Sequence, residues 1–153
     1  MVCEVAAAND HIAQFNFGRM RWPAEDPRMA GFVGALDQVF ALADTARGFV
    51  RRIDDAEIAR GLAAAGFDPR TSATVSVWRD LESLRSYTFD TVHGTYLTRA
   101  AEWFEKSASP QLVIWPCAEN SHPNVREALA RLDDLRQYGP SERAFGWDGP
   151  GRQ

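Results

Sequence analysis

The sequence predicts an α+β sandwich built on a split βαβ sheet, and three observations carry that prediction. Short alternating or apolar runs at residues 11–18, 49–53, 71–78 and 111–115 read as four strands. Apolar residues recurring at three and four place helices between the first and second strands, between the third and fourth, and after the fourth. With 153 residues the chain suits one domain, because a core of this size buries enough surface to fold alone. Strand, helix, strand, strand, helix, strand, helix is the order of a ferredoxin-like fold with an extra C-terminal helix.

Residues 1–10 show no periodicity and are expected to be a flexible N-terminus; residues 11–138 form the domain and 139–153 an irregular tail. In the first strand Ala13, Phe15 and Phe17 alternate with Ile12, Gln14 and Asn16. Amides on one strand face meet either solvent or a cavity, according to whether that face is covered. Asp26-Pro27 supplies an N-cap and a proline at the first helical position. The helix continues through Met29, Phe32, Val33, Leu36, Val39, Phe40 and Ala43 to about Ala46, and Gly48 stops it. The second strand, Phe49 to Ile53, sends Arg51 and Arg52 to opposite faces, with Arg52 expected on an open edge.

Residues 54–70 interrupt the pattern: Asp54-Asp55 cap an Ala-rich helix from Ala56 to Ala65, which Gly66 ends, and the insertion reads as a surface elaboration or a lid. The third strand sets Val75 and Val77 against Thr74, Ser76 and Trp78. Residues 79–106, capped by Asp80, read as one long amphipathic helix. At about 100° per residue, Leu81, Phe89, Val92, Tyr96, Ala100 and Trp103 form one stripe with His93 at its edge. The fourth strand is apolar on both faces, which predicts burial on both sides. His122-Pro123 opens a last helix striped by Val125, Ala128, Leu129, Leu132 and Leu135 and ended by Tyr138-Gly139-Pro140. Phe145 and Trp147 in the tail are expected to dock on the domain or on a neighbouring subunit. A sheet with helices on one side leaves an apolar face bare, so a homodimer joined through that face is expected.

Composition removes several classes of function. Seventeen basic against 21 acidic residues give a net charge of −4, with no basic run, which argues against nucleic acid as a partner. No stretch approaches the ~20 apolar residues of a membrane span, so no membrane partner is expected. Cys3 and Cys117 are too few and too far apart for a disulfide framework, and the N-terminus has neither a basic region nor an apolar run of signal length; the expected setting is cytoplasmic. Cys117 has no basic neighbour to activate it. Glycine-rich phosphate loops and a serine nucleophile elbow are absent. No second histidine or carboxylate lies at i+3 or i+4 from His93, which argues against a protein-held metal there.

Several segments taken in order carry a resemblance. His11-Ile-Ala-Gln-Phe-Asn16, Arg28-Met-Ala-Gly-Phe32 with Leu36-Asp37, Gly48-Phe49-Val50, Ser76-Val-Trp78 with Glu82-Ser-Leu84, His93, Glu102-Trp-Phe104, and Arg131-Leu-Asp-Asp-Leu135 with Gly139-Pro140 through Ala144-Phe145 resemble domain-of-unknown-function family 3291 over residues 11–147. The chain departs from that pattern in the 54–70 insertion and at Ser121, where a glycine is expected. The family resembles the dimeric α/β-barrel superfamily, which includes cofactor-free antibiotic-biosynthesis monooxygenases and several haem-binding enzymes.

The resemblance implies a small cofactor-free enzyme, monooxygenase-like or rearrangement-catalysing, acting on a hydrophobic or aromatic small molecule of secondary metabolism bound between sheet and helices. His93 is the expected acid/base, since imidazole titrates near neutral pH; otherwise it packs with one nitrogen bonded to a strand. Tyr96, Trp103, Phe89 and Trp78 are expected to stack on a planar ligand or to fill the core. Asn16, Gln14 and Ser76 supply hydrogen bonds if their strand face meets the cavity. One alternative is a haem protein with His93 as axial ligand, Phe89, Leu97 and Phe104 as walls, and Arg85 or Arg99 on the propionates. Another is a non-catalytic ligand-binding or stress-related module.

Overall fold

The computed structural model describes residues 10–90, 98–107 and 109–151. Four strands, β1 (His11–Arg19), β2 (Phe49–Arg52), β3 (Thr71–Trp78) and β4 (Leu112–Cys117), form one antiparallel sheet in the order β2-β3-β1-β4, as a split βαβ arrangement requires. The helices are α1 (Ala30–Asp44), α2 (Asp55–Ala64), α3 (Leu81–Asp90), α4 (Ala100–Trp103) and α5 (Val125–Tyr138). Asp26 caps a 3-10 turn, Pro27–Met29, that leads into α1: its side chain accepts from the Arg28 backbone N–H at 2.9 Å. Gly48, at φ +84°, turns the chain into β2 where a Cβ would strike Ser83.

The sheet is covered on both faces. Register pairs Ala13 with Val77 and Trp115, and Phe15 with Val75 and Val113, so these six side chains share one face; all are 0 % exposed. Ile58 and Leu62 of α2 and Val125, Ala128, Leu132 and Leu135 of α5 pack over them. The 54–70 segment is therefore neither lid nor surface elaboration but half of a helical layer. Ile58 and Leu62, one turn apart, were its apolar signature, and Gly61 lets α2 approach α5, since a Cβ there would fall 2.7 Å from Val125 Cβ. The bare face on which the expected homodimer rested is closed by the chain's own helices.

The long helix expected over 79–106 does not run through. It starts as α3 under the Asp80 cap, whose Oδ1 accepts from Ser83 N–H at 2.8 Å, but Thr98 and Arg99 form a turn and Phe104 is extended at φ −121°, ψ 146°. The backbone there bonds to the end of β1: Arg21 N–H donates to Trp103 O at 2.7 Å and Glu105 N–H to Arg19 O at 2.9 Å. Those bonds, with Met20, Met29 and Phe32 closing around Trp103 and Phe104, displace the last helical turns. The final helix begins two residues later than expected, because Asn124 is its cap and accepts from Glu127 N–H at 2.8 Å; His122 instead reaches Glu57. The tail docks on its own domain: Phe145 exchanges two backbone bonds with Ile114 and is buried. No helix among the described residues is long and apolar enough to cross a membrane.

Candidate functional site

The second sheet face is polar where it should pack. Gln14 stands opposite Ser76 and Asn16 opposite Thr74, so the four side chains lie together on it, flanked by Trp78. Gln14 and Ser76 are only 4 % and 6 % exposed. Buried polar groups are costly unless bonded, and here they bond to one another. Trp78 Nε1 donates to Ser76 Oγ at 2.9 Å, Gln14 Nε2 to Ser76 Oγ at 2.8 Å and to Thr74 Oγ1 at 3.1 Å, and Asn16 Nδ2 to Thr74 Oγ1 at 2.8 Å and Gln14 Oε1 at 2.7 Å.

Over this floor lies a cavity of about 330 Å³, roofed by Val39, Phe40 and Ala43 of α1 and by Leu84, Tyr87 and Thr88 of α3. Trp78 forms its end wall between Phe49, edge-on at 5.3 Å, and Tyr87, tilted at 5.2 Å. The Tyr87 hydroxyl donates to Val39 O at 2.9 Å and so ties α3 to α1. Burial pushes the Tyr87 phenol up to about 12, with nearby Asp44 adding to the shift and Arg52 opposing it, so Tyr87 is a neutral group at working pH. Arg52 lies on the edge strand β2, as expected, but its side chain is not free in solvent: it pairs with Asp44 at 3.1 Å, lays its guanidinium 4.3 Å over the Phe40 ring and lines the cavity. A second cavity of about 440 Å³ adjoins the first, with Phe32, Leu36, Trp103 and Phe104 in its walls.

Of the residues expected from the sequence, Gln14, Asn16, Ser76 and Trp78 come together in the first cavity. Trp103 lines the second and is 3 % exposed, a core residue among Met20 and Met29. Phe89 lines neither: it is 51 % exposed and meets Trp147 edge-on at 5.0 Å. His93, Tyr96 and Leu97 lie outside the described residues. Thr74, Thr88, Tyr87 and Arg52 were not expected in the lining. Thr74 was within reach of the sequence, since it alternates with Ser76; Tyr87 and Thr88 depend on how α3 seats on the sheet.

The described residues do not assemble the haem slot. Phe89 is half exposed against Trp147 while Phe104 packs in the cluster around Trp103, Arg85 donates to the Trp147 carbonyl, and Arg99 pairs with Glu102 at 3.1 Å while covering Trp103. Among the described residues no three metal-ligating side chains come together. Cys117 is buried, and burial pushes its thiol up, away from nucleophilic use.

Sheet and helices thus define an α+β sandwich with a ligand-sized cavity between a polar sheet face and a half-covered helical layer. The chain belongs to the family described as a domain of unknown function, DUF3291, whose profile matches residues 11–152. No curated protein matches the sequence. Among solved structures it is similar to the NE2512 protein of unknown function from Nitrosomonas europaea, at 14 % identity over 76 % of this chain and 97 % of that one, with a TM-score of 0.51; the likeness is one of fold. It is also similar to SnoaB, a cofactor-independent oxygenase from Streptomyces nogalater, at 12 % identity over 77 % of this chain and 99 % of that one, TM-score 0.47. A mutant of SnoaB gives 14 %, 75 %, 99 % and 0.48.

Proposed function

We propose that the protein binds a small, largely apolar ring compound between the polar face of the sheet and helices α1 and α3, and transforms it without a cofactor. One observation supports binding above all: a hydrogen-bonded floor of buried Gln14 and Ser76 and half-buried Thr74 lies under a largely apolar roof that does not close on it. A face meant only for packing would be apolar, as the opposite face of the same sheet is. Trp78 and Tyr87 offer flat walls, and the floor offers oriented hydrogen bonds, the combination that small-molecule sites use.

Catalysis is the further part of the proposal. The described lining residues supply donors, acceptors and one paired cation, and none of them exchanges protons near neutral pH. His93 is assigned that task on the chemistry of imidazole, and the cofactor-free step follows the superfamily resemblance. Tryptophan fluorescence tests binding, because Trp78 and Trp147 both line the cavity. Titration with a panel of one- and two-ring aromatic ketones and phenols is expected to give saturable quenching, and Ala43→Phe, which fills the roof, is expected to abolish it. If no compound binds at millimolar concentration, or if Ala43→Phe binds as the wild type does, the proposal fails.

A further inference from the structure

The two cavities share Asn16, Val39, Phe40, Thr74 and Gln111, and the second also takes in Ile58 and Ala59 of α2. Their characters differ. The first has the polar floor; the second presents Phe32, Leu36, Trp103 and Phe104, with Phe32 packed edge-on against Phe104 at 4.9 Å. Thr74 and Asn16 stand where they meet.

A count of donors and acceptors gives the floor a polarity. A hydroxyl oxygen accepts two hydrogen bonds and donates one. Ser76 Oγ accepts from Trp78 Nε1, an indole that can only donate, and from Gln14 Nε2. Thr74 Oγ1 accepts from Gln14 Nε2 and Asn16 Nδ2. Both oxygens are filled as acceptors, and among the described residues neither hydroxyl proton has an acceptor. The floor therefore presents two hydroxyl donors, two residues apart on one strand, to whatever occupies the cavity. Arg52, the one cation in the lining described for the first cavity, is already matched by Asp44, and the charged residue of the second, Asp55, is an acid, so neither lining offers a free cation to attract an anion.

We infer that the two cavities act as one cleft for an elongated neutral ligand: a ring bearing carbonyl oxygens over Ser76 and Thr74, with an apolar extension passing Asn16 into the space beside Phe32 and Trp103. The inference rests on the binding reading above and adds to it the ligand's polarity and length.

The probes are acetophenone, 4-hexylacetophenone and hexylbenzene, titrated by calorimetry into the full chain. At about fourfold per buried methylene, the hexyl group is expected to tighten binding a hundredfold or more over acetophenone. Ala59→Trp, at an exposed position of α2 that lines the second cavity, is expected to cut that gain at least tenfold while acetophenone affinity stays within twofold. Ala35→Phe, on the α1 side of the same cavity, provides an independent block, and circular dichroism checks that each variant folds. Thr74→Val is expected to weaken both ketones about tenfold and to leave hexylbenzene unchanged. If 4-hexylacetophenone binds no better than acetophenone, or keeps its gain in both blocking variants, the single cleft is overturned while the binding reading stands. Equal losses for ketone and hydrocarbon in Thr74→Val overturn the donor assignment. Failure of acetophenone itself to bind takes down the binding reading, and this inference with it.

Discussion

Gln14 Nε2 donates to Ser76 Oγ at 2.8 Å across the β1–β3 pairing, and both residues are buried beneath helices that leave space above them. Removing one partner strands the others. Ser76→Ala deprives Trp78 Nε1 of its acceptor and Gln14 of one of two, so a loss of about 1–3 kcal/mol in urea-unfolding stability is expected. A loss below about 0.5 kcal/mol would show that water satisfies the ladder and that its bonds are not structural.

Tyr87 sets an alkaline limit. Its folded-state value, pushed up to about 12 mainly by burial, lies above the ordinary ~10 of an unfolded phenol. The folded state thus favours the neutral form, and this contribution is fully present below pH ~10 and lost as pH rises from there towards 12. Wild-type stability is expected to fall over that window more steeply than that of Tyr87→Phe, which has no phenol to ionise. Parallel curves for the two proteins would remove Tyr87 from the account.

Trp103 and Phe89 share one predicted stripe and are expected to behave oppositely. Trp103→Ala empties the cluster with Met20 and Met29 and is expected to cost about 3–5 kcal/mol. Phe89→Ala, at a residue half in solvent, is expected to cost under about 1 kcal/mol, the scale of its edge-on contact with Trp147. Thermal or chemical unfolding of the two variants checks the order; a reversed order would mean that Phe89, not Trp103, belongs to the core.

His93→Ala is expected to abolish turnover or weaken ligand binding in a protein that folds normally. Stability lowered by about 2 kcal/mol with ligand binding unchanged, as the loss of a buried hydrogen-bonded group would give, would assign the histidine to packing instead.

Haemin is expected to give no stoichiometric Soret band on titration, because Phe89 is half exposed against Trp147, apart from Phe104 in the cluster around Trp103, and the arginines considered for the propionates are engaged elsewhere. A one-to-one band that His93→Ala removes would make the protein a haem binder.

Local patterns in the sequence determine much of this molecule. Period-two alternation in residues 11–18 and 71–78 fixes which side chains share a face, so Gln14, Asn16 and Ser76 were legible as a polar patch before any fold was known. Asp26 and Asp80 were legible as caps because a cap bonds to a neighbour two or three residues away. The apolar run of β4 announced burial on both sides, and Val113, Ile114 and Trp115 are all fully buried.

What the tertiary structure decided depends on contacts between distant residues, which periodicity does not encode. Residues 79–106 keep a helical stripe, yet bonds from 103–105 to 19–21 end the helix, because backbone pairing with the tip of β1 and packing around Trp103 outweigh the helical pattern. The insertion at 54–70 looked peripheral because its helix is short and alanine-rich; two apolar residues one turn apart, and a glycine that admits Val125, let it complete with α5 the cover of the apolar sheet face. The polar patch, too, was ambiguous between solvent and cavity. Only the seating of α1 and α3 above it, fixed in part by the bond from the Tyr87 hydroxyl to the Val39 carbonyl 48 residues away, makes it the floor of a cavity.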